Sequence, residues 1–147
     1  MAIKISRKCR YALQAVFEVA SRRTATPVAA AQIADAQGIP VRFLENILNE
    51  LRRAGLVVSH RGNAGGYTLA VPPEEMAVAQ VIEAAQGPLS VAAPPNPDRR
   101  LPGDAAFERL WEAFDESMAR VCRETSIADL VRWESQSQQQ YVPDYVI

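Results

Sequence analysis

Five polar residues recur at a spacing that suits the reading of base edges in a nucleic acid. They fall at i, i+3, i+4, i+7 and i+11, and they are Arg42, Glu45, Asn46, Asn49 and Arg53. On a helix this spacing puts them on one face, opposite a row of leucines. Arginine can bond guanine with two hydrogen bonds, asparagine can bond adenine, and glutamate can accept from the cytosine amino group. A merely solvated helix face has the same pattern, so the stripe needs a supporting context.

The stretch RGNAGGYTL, residues 61–69, is a second candidate. Its glycines could form a phosphate-binding loop or a hairpin turn. The stretch lacks the lysine and the spacing of a P-loop, and it lies between two strand-like runs rather than before a helix. We therefore predict a hairpin with His60, Arg61 and Asn63 at its tip. An arginine there could enter a minor groove, although a single basic residue at a turn is often only exposed.

The sequence offers few residues that could act in catalysis or bind a metal. One histidine and two distant cysteines offer neither a disulfide framework nor metal-binding spacing, so we predict no catalytic residues and no metal site. Cys9 lies between Lys8 and Arg10 at the start of a predicted helix, a setting that lowers a thiol pKa and makes Cys9 a possible redox thiol. The alternative is an ordinary structural cysteine, because no resolving partner is evident.

The elements that position the stripe follow from apolar periodicity. The pattern predicts helices over about 6–22, 29–37 and 40–54, with Ser6 as the first N-cap. The tight link Gly38-Ile39-Pro40 joins the second and third helices into a helix-turn-helix. Runs rich in branched and aromatic residues at 56–60 and 67–69 predict two strands across the quoted loop.

The second half of the chain predicts more helices. Pro72-Pro73 should begin one that ends at Gly87, with an apolar face of Val78, Val81, Ile82 and Ala85. Five prolines in 88–103 indicate a linker, and Ser126 with Asp129 should begin a last helix. A long helix between them carries an apolar seam suited to packing on another helix. Its residues are Phe107, Leu110, Trp111, Phe114, Met118 and Val121.

The predicted organisation is a DNA-binding domain at 1–87, a linker at 88–103, dimerisation helices at 104–135 and a flexible tail at 136–147. Residues 1–71 carry ten Lys/Arg against four Asp/Glu, whereas residues 72–147 carry six against thirteen. The basic half suggests a polyanionic partner. Because no signal-peptide core or membrane-spanning run is apparent, we expect a cytoplasmic protein without a membrane partner.

The segments RYALQAVFEVA, IADAQGIPVRFLENILNELRRAGLVVSHRGNAGGYTLA and VAQVIEAAQGPL closely resemble the Rrf2 family of winged-helix transcription regulators, of the IscR, NsrR and CymR type. The resemblance implies a homodimer on a partly palindromic operator, with long C-terminal helices crossed at the interface. By that resemblance Arg42, Phe43, Glu45 and Asn46 face the major groove. The same resemblance implies that Arg61 enters the minor groove and that Tyr11 lies near the DNA backbone.

One departure from the family pattern concerns the cofactor. Cluster-binding relatives carry three cysteines in the segment that is GPLSVAAPPNPDRRLPGDAAFERLW here, and this segment has none. We therefore predict no cofactor, in particular no cysteine-ligated iron–sulfur cluster. The expected fold is mainly α with a small β-hairpin wing and a long C-terminal dimerisation helix. The expected function is a non-enzymatic repressor that binds double-stranded DNA, and the alternative is a protein-interaction module on the same scaffold.

Overall fold

The computed structural model of the chain describes residues 4–140, which form six helices and one two-stranded antiparallel hairpin. The elements are α1 Arg7–Ser21, α2 Ala30–Gln37, α3 Val41–Arg53, β1 Val57–His60, β2 Gly66–Leu69, α4 Val78–Gln86, α5 Asp104–Glu124 and α6 Ile127–Gln140. The predicted fold class, mainly α with a hairpin wing, is confirmed. No helix among the described residues is both long and apolar enough to cross a bilayer.

Helix α1 lies at the centre of the fold and packs against α2, α3, α4 and α6. Ser6 caps it as predicted, because its Oγ accepts from the Cys9 N–H at 3.1 Å. The buried face runs through Cys9, Ala12, Val16 and Val19, whereas the larger Leu13 and Phe17 are half-buried at the edge of the core. Alanines occupy the central positions because their small side chains let several helices approach closely.

The predicted helix-turn-helix is present in α2 and α3. Helix α2 ends at Gly38, whose φ of 64° lies in the left-handed region that glycine tolerates. Helix α3 starts directly after Pro40 and buries one apolar stripe in the core. That stripe consists of Leu44, Ile47, Leu48 and Leu51. The opposite face of α3 is left for polar side chains.

The hairpin β1–β2 is the wing, and it is tied to the segment between α1 and α2. Tyr67 and Val28 exchange two backbone hydrogen bonds of 2.8 and 2.9 Å. A side chain at Gly66 would overlap the Val28 backbone, and one at Gly65 would overlap the His60 carbonyl. These two glycines are therefore required by contacts within the protein itself.

The start of α4 differs from the prediction. Residues 73–75 form a turn closed by the Glu75 N–H donating to the Pro72 carbonyl at 2.9 Å, and α4 begins only at Val78. The intervening segment pairs instead with the start of α6. The Ile127 N–H donates to the Met76 carbonyl and the Val78 N–H donates to the Thr125 carbonyl, each at 2.8 Å. This long-range pairing overrides the local helix signal of the two prolines.

Helices α5 and α6 are placed differently from each other. No residue of α5 is buried, whereas α6 buries Ile127 and Val131 in the same core as α1. The predicted cap of α6 is present, since Ser126 and Asp129 bond each other's backbone N–H at 2.9 and 3.0 Å. Residues 136–140, the first part of the predicted flexible tail, are the last residues of α6, and the remainder of that tail lies outside the described residues.

Candidate nucleic-acid interface

The polar stripe predicted on α3 lies on the protein surface. Arg42, Glu45, Asn46 and Arg53 are exposed, and the Phe43 side chain is 63% exposed beside them. An aromatic ring this exposed at a helix start has no packing role in the core. Its face can instead contact a thymine methyl group, as apolar side chains do in the major groove.

Asn49 is less available than the prediction supposed. It is half-buried, and its carboxamide oxygen accepts from Arg52 Nη2 at 2.7 Å. The amide nitrogen still has two donors to offer. Asn49 can therefore donate to a base or a phosphate, and in bidentate recognition of adenine its oxygen would be shared with Arg52.

A groove between α1 and α3 gathers several of the predicted residues with others that the sequence did not single out. Tyr11 is half-buried in it. The lining residues are Arg7, Lys8, Tyr11, Phe43, Asn46, Ile47, Asn49, Glu50 and Arg53. The charged additions are Arg7, Lys8 and Glu50. The basic run at 7–10 was the sequence signal for Arg7 and Lys8. No sequence signal pointed to Glu50, which pairs with Lys8 in the folded protein.

The wing tip holds the other predicted contacts. His60, Arg61 and Asn63 are all exposed. His60 Nε2 lies 2.9 Å from Thr68 Oγ1, so the imidazole is held across the hairpin rather than free to reach outward. Only residues 54–56 separate α3 from β1, and the Leu56 N–H donates to the Leu51 carbonyl at 3.0 Å. The position of Arg61 is therefore coupled to that of α3.

The surroundings of Cys9 do not favour a reactive thiol of low pKa. The side chain is fully buried, and burial raises its pKa, with a further rise from the nearby Cys122 thiolate. Burial also raises the pKa of Cys122, which is half-buried. Lys8 and Arg10 are exposed, so the neighbours in sequence face solvent while Cys9 faces the core. Thiols of raised pKa are poor nucleophiles at neutral pH.

The apolar seam predicted on α5 lies on the surface of the described chain. Phe107 and Val121, near its ends, are 55% and 60% exposed. Trp111 and Phe114 form a tilted aromatic pair with ring centroids 5.8 Å apart. Leu110 is exposed and Met118 is half-buried. A continuous row of this size is typical of surfaces that contact another macromolecule.

The proline-rich linker is fastened to α5 beside this seam. The Asp115 carboxylate accepts from Ser90 Oγ and from the Val91 N–H, both at 2.6 Å. These hydrogen bonds, first the one from Ser90 and then the one from Val91, hold the pKa of Asp115 below its usual value. Arg100 Nη2 lies 3.1 Å from Glu108 Oε2 at the other end of the linker. The linker is thus an attached loop.

Known proteins with related sequences and structures are transcriptional regulators. A Mycobacterium tuberculosis protein named as an HTH-type transcriptional regulator is 40% identical over 130 residues, which are 87% of this chain and 81% of that protein. The structure of CymR, the global cysteine regulator of B. subtilis, matches with a TM-score of 0.80 and 30% identity, over 90% of this chain and 98% of CymR. T. potens IscR matches with a TM-score of 0.75 and 30% identity, over 99% and 96%.

The Rrf2 family profile, described as an iron-dependent transcriptional regulator, matches residues 5–133. The side chains present do not fit a cysteine-ligated iron centre. The sequence has two cysteines, Cys9 is fully buried, and within residues 4–140 no group of three or more His, Cys, Asp and Glu converges on one point. The match over nearly the whole chain, together with the wing and the helix-turn-helix, shows that this protein belongs to the Rrf2 family of transcriptional regulators.

Proposed function

We propose that this regulator is a sequence-specific DNA-binding repressor that acts as a homodimer on a partly palindromic operator. The observation that carries the proposal is the geometry of α3. Its apolar face is fixed in the core, its opposite face presents base-reading side chains to solvent, and Arg61 on the wing is coupled to it. Such a surface has its reading groups already in position before DNA arrives.

In the proposed complex the N-terminal half of α3 enters the major groove. Arg42 would bond guanine and Glu45 would accept from a cytosine amino group, while Phe43 would contact a thymine methyl. Arg61 would enter the adjacent minor groove, where narrow stretches concentrate negative potential. Arg7, at the start of α1, would meet the phosphates between the two.

Homodimerisation would use the apolar seam of α5. Two antiparallel copies of a seam with Phe107 at one end and Val121 at the other can cover each other in a symmetric contact. Two-fold symmetry would then place the recognition helices on half-sites about 34–36 Å apart. Occupancy of such an operator would block the promoter that contains it, without any catalytic step.

We expect Arg61→Ala to weaken operator binding by about 1–3 kcal/mol per half-site, because it removes one guanidinium from a groove of negative potential. Fluorescence anisotropy with a promoter fragment measures the affinity, and sedimentation checks that the assembly is unchanged. Arg99→Ala, an exposed arginine of the linker, is the matched control and should leave the affinity unchanged. Equal affinities of wild type and Arg61→Ala would refute the wing contact.

The alternative, a protein-interaction module, is favoured by one observation, the exposed apolar seam of α5. On that alternative the seam would bind a different protein rather than a second copy. Genome-wide enrichment of promoter fragments by the purified protein separates the two proposals. A stoichiometric protein partner without promoter enrichment would favour the module.

A further inference from the structure

We propose that Glu50 limits non-specific DNA affinity by holding Lys8 in an ion pair at the edge of the α3 reading face. The inference rests on the proposed DNA-binding function and concerns the selectivity of that same surface. Glu50 opposes phosphate binding, and Lys8 can contact a phosphate only when its ion pair with Glu50 opens.

The geometry joins the two helices that border the groove. Lys8 Nζ lies 2.7 Å from Glu50 Oε2 and 2.9 Å from Glu50 Oε1, so the ammonium is engaged by both carboxylate oxygens. Lys8 is in the first turn of α1, and Glu50 follows Asn46 by one turn on α3. The pair therefore spans the groove next to the side chains that would read bases.

The ion pair is accessible to a ligand and contributes little to folding. The side chains of Lys8 and Glu50 are 46% and 40% exposed, a range in which ion pairs are screened and stabilise the fold weakly. A phosphate approaching this groove would reach the same ammonium that Glu50 holds. The pair can therefore open towards a phosphate at little cost to the fold.

Glu50 is the one acidic side chain among the residues that line this groove, and the cationic lining residues are Arg7, Lys8 and Arg53. A carboxylate on a surface that faces DNA repels phosphate. It also neutralises Lys8, so a phosphate must displace the carboxylate before it gains a lysine contact. The carboxylate of Glu50 therefore lowers the affinity for DNA of any sequence. Base contacts then supply a larger share of the binding free energy for the operator.

The variant Glu50→Gln tests this proposal because it keeps the side-chain length and removes the charge. We expect tighter binding to a non-operator duplex, by about 1.4- to 5-fold per protomer from the strength of exposed ion pairs. The slope of log affinity against log salt should steepen by roughly 0.9 per protomer, because one more phosphate contact releases counterions. Anisotropy titrations over a range of salt concentrations give both quantities.

The single change Lys8→Gln should alter wild-type affinity little, and the double change Lys8→Gln with Glu50→Gln should cancel most of the gain. Glu124→Gln on α5 makes the same charge change on an exposed residue outside the groove, and it controls for net charge. Circular dichroism confirms that each variant is folded.

Unchanged or weaker binding by a folded Glu50→Gln protein would overturn the role of Glu50 while leaving the proposed function intact. A large loss in Lys8→Gln alone would overturn it as well, because Lys8 would then already contact phosphate. A wild-type protein that binds neither duplex would instead refute the DNA-binding proposal, so the two failures are distinguishable.

Discussion

At the scale of single residues, Asp115 holds the first part of the linker on α5. Its carboxylate accepts from Ser90 and Val91, and these bonds favour the ionised form. The folded pKa is therefore below the unfolded value of about 3.9. The stabilisation is complete above that value and is lost as the pH falls through the lower, folded pKa.

We predict that Ser90→Ala raises the pKa of Asp115 towards its ordinary value, because the bond from Ser90 contributes most to the shift. Carboxyl carbon NMR titration of the folded protein between pH 2 and 6 measures the pKa. Ser59→Ala, an exposed serine on β1, should leave the Asp115 titration unchanged. An identical titration in wild type and Ser90→Ala would contradict the contact.

Residue environments show where sequence reasoning ends. The charged neighbours of Cys9 left a reactive thiol and a structural cysteine both open. Successive residues of a helix face different directions, and burial of Cys9 in the core raises its pKa. Glu50 offered no signal at all, because its partner is 42 positions away in the chain. The α3 stripe was predictable since residues within one helix fix their own spacing.

At the scale of elements, local signals predicted most helices to within a few residues. The α6 cap is a clear case, because Ser126 and Asp129 bond each other's backbone amides without help from the rest of the fold. The α4 start was mispredicted because residues 76–78 pair with residues 125–127, a contact that no local pattern reports. Element identity is thus local, whereas element boundaries depend on the partner segment.

We expect Ser126→Ala to destabilise the protein by about 1 kcal/mol, since the Asp129 N–H loses its acceptor at 3.0 Å. Urea unfolding followed by circular dichroism gives the change in the free energy of unfolding. Ser137→Ala lies in the exposed part of the same helix and serves as the matched control. If the two variants unfold at the same urea concentration, the cap has no measurable role.

At the scale of the whole molecule, the described chain leaves the seam of α5 uncovered. We predict that Trp111→Asp gives monomers, because it puts a carboxylate in the middle of an interface that must exclude water, and that operator affinity falls with loss of the second half-site. Analytical ultracentrifugation measures the assembly, and operator titration measures the affinity.

The control for this prediction is Ala105→Asp, which adds the same carboxylate on the far side of α5 by the 3.6-residue period. It should remain dimeric. Dimers of unchanged stability in Trp111→Asp would show that the subunits meet elsewhere.

The pairing between residues 76–78 and 125–127 has a mechanical consequence. One end of α5 is anchored by this short ladder to the core that also holds α1, and the linker binds its side at Asp115. In a dimer built on α5, the angle between the two α5 helices would set the distance between the two recognition helices. A slight change in that angle would alter this distance, and so the match to a fixed pair of half-sites, without changing the structure of either recognition helix.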